Sequence, residues 1–118
     1  VEYQDPSNAK VYRPIGWCSF VLGKYETAIK YFEKILHFKP NKSDYLNIAH
    51  CYWVTGDLPH ALEAYREALR LSGINIQWFR DAFLQDARFL RNTGLDDLDL
   101  SLMMDYVLLD QSDTSDRV

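Results

Sequence analysis

Apolar and small side chains recur at helical spacing in two stretches of similar length. In GKYETAIKYFEKILHFKP, residues 23–40, Ala28, Ile29, Phe32, Ile35 and Leu36 fall on one face of a 3.6-residue helix. In GDLPHALEAYREALRLSG, residues 56–73, Ala61, Leu62, Tyr65, Ala68 and Leu69 do the same. Sliding the chain on itself by 33 residues lays Gly16 on Ala49, Cys18 on Cys51, Gly23 on Gly56, Ala28 on Ala61, Phe32 on Tyr65 and Pro40 on Gly73. Small residues meet small ones and aromatics meet aromatics, so one supersecondary unit is used more than once.

The helix ends are written into the same pattern. Gly23 and Gly56 suit the left-handed conformation that closes a helix, and Pro59 suits a first turn, where a missing N–H costs nothing. Each unit is therefore expected to be two short antiparallel helices that approach closely at Ala28 and Ala61. Pro14 falls inside the first helix of the first unit, where its ring and absent N–H predict a kink or a restart at Arg13. Residues 74–110 hold two more helical patterns, IQWFRDAFLQDARFLRNTG and DDLDLSLMMDYVLLD, but Gly94 stands 38 residues after Gly56 and breaks the period. They read as a divergent terminal hairpin that caps the stack. Asp96, Asp97 and Asp99 suit the start of its last helix. That helix has one narrow polar stripe, Asp97, Ser101 and Asp105, and is apolar over most of its circumference. It is expected to pack on the segment containing Phe79, Phe83 and Leu90, with any surplus apolar face turned to another chain or parent segment.

The unit resembles the tetratricopeptide repeat. Residues 42–73 fit that family's pattern through Tyr45, Ile48, Ala49, Tyr52, Ala61, Tyr65 and Ala68, with Gly73 in place of the closing Pro. Residues 9–40 fit through Tyr12, Ile15, Gly16, Ala28, Phe32 and Pro40, with Ser19 where the family has Tyr and Ile35 where it has Ala. The resemblance implies an all-α, right-handed superhelix of antiparallel hairpins. Its expected organisation is the end of an upstream repeat at 1–8, repeats at 9–40 and 41–73, the divergent cap at 74–110 and a flexible acidic tail at 111–118. First helices of this family line a concave groove that takes an extended peptide or a partner's helix. The matching positions are Arg13, Trp17, Phe20 and Val21 in one unit and Leu46, Asn47, His50 and Trp53 in the next. Some members also clamp a C-terminal carboxylate, to which Arg13 and Asn47 would contribute. Partners implied are proteins or peptides, with self-association through the C-terminal helix or the N-terminal face as a further option.

Composition narrows the function classes. Across 118 residues the chain is 47% hydrophobic and 14% aromatic, enough for a packed core. Net charge is -4, but seven Asp and one Arg after Gly94 give −6 there and leave +2 for residues 1–95. No basic stripe interleaved with aromatics supplies the phosphate contacts that nucleic-acid binding needs, and no apolar run suits a membrane span. Cys18 and Cys51 occupy the same slot of successive units, and both are expected to be buried, reduced thiols. His37, His50 and His60 lack ligand spacing, so no metal or cofactor is expected. No nucleophile, base and orienter assemble, which favours a non-enzymatic module, expected in the cytoplasm. Its alternatives are a regulatory or substrate-binding helical domain of an enzyme and a purely structural stacking unit of its parent.

Overall fold

The computed structural model describes residues 9–116, with side-chain surroundings over 10–109. Seven helices and no strand occur among the described residues: α1 Ala9–Val21, α2 Tyr25–Leu36, α3 Lys42–Val54, α4 Leu58–Leu71, α5 Ile76–Gln85, α6 Ala87–Arg91 and α7 Asp97–Asp116. The segment assigned to an upstream repeat, 1–8, lies outside them. None of these helices is long and apolar enough to cross a membrane.

The two units close in the same way. Gly23 (φ 82°) and Gly56 (φ 89°) take the left-handed conformation that lets the chain reverse. One residue on, Lys24 N donates to Ser19 O and Asp57 N donates to Tyr52 O, both at 2.8 Å, giving the same wide helix-end closure 33 positions apart. The starts of α3 and α4 are capped by side chains, whereas α2 begins at Lys24 without a side-chain cap. Asn41 and Asp44 exchange reciprocal side-chain bonds with each other's backbone N–H at 2.8 Å, and Asp57 accepts from His60 N ahead of α4. Asp96 and Asp99 form the same reciprocal pair at the start of α7, as their place in the sequence implies.

The helix does not restart at Arg13, since α1 runs unbroken through Pro14. The lost bond is the one to the Lys10 carbonyl, and both residues are exposed, so water reaches the orphaned oxygen. At the other end, α7 runs to Asp116. No Gly or Pro interrupts it after Gly94.

α1 packs along α2, α3 along α4, and α2 against α3, so consecutive helices are neighbours through both units. Ala28 and Ala61 are completely buried. A Cβ on Gly16 would sit 3.0 Å from the Phe32 ring, so the aromatic fills the space that glycine leaves. Ala49 and Tyr65 hold the matching places in the second unit, and both are completely buried. Beyond α4 the period is lost. α7 packs on α4 and α5, and its Leu100, Met103, Met104, Val107 and Leu108 join Phe79, Phe83 and Leu90 in the core. Leu98, Leu102 and Leu109 remain exposed on its other side.

With Ala61 completely buried in the core, Ala61→Leu should lower the unfolding free energy by about 1–3 kcal/mol, read from urea denaturation. An unchanged midpoint would contradict this packing.

Candidate interaction surface

The eight first-helix positions singled out by phase do not form one open surface. On α1, Arg13 and Trp17 are half-buried, Phe20 is buried and Val21 is exposed. On α3, Leu46 and His50 are buried, while Asn47 and Trp53 are half-buried. Phe20, Leu46 and His50 thus belong to the interior. Helical phase showed which side of the helix they occupy. It did not show what packs on that side.

The His50 surroundings come from α1, α4, α5 and the turn after α5. His50 Nδ1 lies 2.6 Å from the Tyr65 hydroxyl and Nε2 lies 2.9 Å from Asp86 Oδ2. Burial holds the Tyr65 phenol well above its usual range, so it keeps its proton and donates to Nδ1. The Nε2–H then donates to the Asp86 carboxylate, so both ring nitrogens are satisfied. The rings of Phe20 and Phe83 lie against the same imidazole, at 6.2 and 5.7 Å between centroids. One side chain therefore touches the first unit, the second unit and the cap. Sequence reasoning missed Asp86 because it lies where the period has failed.

The two tryptophans are held from behind. Trp17 stacks on Phe20 and meets Phe89 of α6 edge-on, both at 5.3 Å. Trp53 packs against Tyr65 and Phe83. It also lines an open apolar cleft of about 360 Å³, whose other walls include Leu58, Leu62, Leu102 and Tyr106.

Arg13 is already engaged by this chain. Its Nε and Nη2 donate to the two oxygens of Asp44, each at 2.7 Å, in a fork-to-fork pair. That bond raises the guanidinium pKa above its ordinary value, and the Asp44 carboxylate is almost completely buried. The carboxylate-clamp role considered for Arg13 is thus taken by an internal acid.

The family model for the tetratricopeptide repeat matches residues 15–42 and 45–75, half of the chain, with the two matches falling on α1–α2 and α3–α4. The chain belongs to the tetratricopeptide repeat family. Repeats of this family generally mediate protein–protein interaction. No curated protein and no solved structure matches the chain. Helices α5–α7 lie outside both repeat matches, although this segment brings Asp86, Phe83 and Phe89 against the two repeats.

The two repeats treat their shared cysteine differently, which corrects the expectation that both are buried. Cys51 is completely buried, and desolvation pushes its thiol up to about 12, whereas Cys18 is exposed. Iodoacetamide at about pH 8 should label Cys18 alone in the native chain and both thiols after denaturation, read by mass spectrometry. His50→Ala should destabilise by about 2–4 kcal/mol in urea, combining a cavity with an unpaired Tyr65 hydroxyl. A loss below about 0.5 kcal/mol would mean that the imidazole is replaceable by water.

Proposed function

We propose that this chain is a non-catalytic protein-interaction module that takes an extended peptide or a partner's helix along the first-helix side of its two repeats. The contacting strip is Arg13, Trp17, Val21, Asn47 and Trp53, with Phe20, Leu46 and His50 as the rigid bed beneath it. The observation that carries this reading is the support of the two half-exposed tryptophans. Each is backed by aromatic rings from more than one element, so neither has to be ordered when a partner arrives. Because Arg13 is committed to Asp44, recognition rests on apolar anchoring, with Asn47 supplying hydrogen bonds, and not on capture of a free carboxylate.

Peptides displayed on phage and selected on the full chain test the reading. Affinities of the recovered binders, measured by calorimetry, should fall by about 2 kcal/mol with Trp17→Ala and by about 1 kcal/mol with Asn47→Ala. The dependence of affinity on salt should be shallow. Circular dichroism of each variant separates lost binding from lost fold. Binders indifferent to both substitutions would place recognition elsewhere on the molecule.

A further inference from the structure

The side of α7 turned away from the core is also apolar. Leu98, Leu102, Tyr106 and Leu109 follow one another at spacings of four, four and three, and so make one stripe. All four are open, Leu98 at 65%, Leu102 at 58%, Tyr106 at 56% and Leu109 at 65%, so nothing in this fold covers them. At 1.5 Å per residue the stripe runs for about 17 Å, roughly three helical turns. Its middle is also a wall of the apolar cleft of about 360 Å³ beside Trp53: Leu102 and Tyr106 line that cleft from α7, and Leu58 and Leu62 line it from α4. Stripe and cleft are therefore continuous, and together they make a groove. A ridge of large apolar side chains along one face of a helix is the shape that such a groove accepts.

Charge decides which kind of helix. With 3.6 residues per turn, Asp99 lies about 60° to one side of Leu102 and Asp105 about 60° to the other, so the stripe runs between two carboxylates. Asp99 also lines the cleft, where its Oδ2 accepts from Asp96 N, and Asp105 is exposed. The sequence 97–116 holds six Asp and no Lys or Arg, so a second copy of α7 laid on the stripe would bring carboxylate against carboxylate in either orientation. The cation on the α4 side, Arg66, faces the Tyr106 ring at 5.8 Å, at the edge of the stripe and not along it. The groove thus excludes its own copy and suits a helix of opposite charge.

We propose that the groove between α7 and α4 is a second docking site, for an amphipathic helix of a partner protein whose apolar ridge is flanked by Lys or Arg. The ridge enters the cleft between Leu62 and Leu102, and the flanking cations lie opposite Asp99 and Asp105. The site goes beyond the first-helix strip and does not depend on it. Trp53 is common to both surfaces, whereas Leu98 and Leu102 belong to the groove alone and Asn47 to the strip alone, so each surface can be inactivated by itself.

The test is a displayed library of helical peptides selected on the full chain. Every member carries leucines at spacings of four, three and four, and the positions beside them are Lys, Glu or Gln in equal proportion. Selection should enrich Lys over Glu at those positions by about tenfold or more. Affinities of the recovered peptides, read by fluorescence anisotropy, should fall by about tenfold or more when Leu98→Ser and Leu102→Ser are combined, and by about threefold with Asp105→Asn. They should also weaken as salt rises. Both leucines are exposed, so the fold should survive their replacement, which circular dichroism checks. Asn47→Ala should leave these affinities in place, although it weakens binders of the first-helix strip. Flanking positions that keep the composition of the library, or fill with Glu, overturn the proposal, as do binders indifferent to the paired leucine substitutions. Sedimentation of the chain alone gives the remaining arm: a dimer that Leu102→Ser abolishes would assign the groove to a second copy, and would also overturn it.

Discussion

An imidazole shut away from water must find both of its hydrogen-bond partners in the protein, and His50 finds them on opposite sides. Tyr65 of the second hairpin donates to one nitrogen and Asp86, at the turn between α5 and α6, accepts from the other. Either partner alone would leave a polar atom in a site where nothing else can pair with it, at a cost of about 1–3 kcal/mol. The position of the divergent segment relative to the repeats is thus tied to a chemical requirement as well as to apolar burial. The Phe20 and Phe83 rings pressed against the same imidazole exclude water from the site.

From that constraint follows the character of the surface above it. Side chains that would otherwise be free on the first-helix side are fixed from below, and what stays half-open is aromatic: Trp17 over Phe20 and Phe89, Trp53 over Tyr65 and Phe83. The proposed binding to such rings would lose little side-chain entropy, because neighbouring rings already set their orientation. On the far side α1 approaches α2 closely at Gly16, and Ala28 and Ala61 are completely buried.

The repeated part of the fold was legible because its determinants are local. Gly23 and Gly56 state where helices close, Pro59 where one begins, and the alignment of Ala28 with Ala61 states which faces meet. The candidate surface was half legible. Phase placed Arg13, Trp17, Asn47 and Trp53 on one side of the first helices, and they remain partly open there. The same phase placed His50, Phe20 and Leu46 beside them, where the packing of the later helices encloses them, and nothing in the 33-residue period foretells Asp86 or Phe89. Cys18 shows the converse failure. Its alignment with Cys51 is correct, but burial is a property of the neighbour and not of the slot. The restart at Arg13 was over-read, since a proline on the wet side of a helix forfeits a bond that solvent can replace.

Asp44 has two duties whose consequence reaches beyond the contacts themselves. The same carboxylate that accepts from Asn41 N to begin α3 also receives the Arg13 fork from the preceding hairpin. Starting a helix is ordinarily a local event, and docking two hairpins is a long-range one. Here they share a pair of oxygen atoms, so the first turn of α3 is most stable once the neighbouring hairpin has arrived, and the neighbour is held best once that turn exists. Energies assigned separately to the cap and to the ion pair would therefore not add. In a linear array whose units could in principle melt one by one, such sharing couples nearest neighbours and favours loss of both hairpins together.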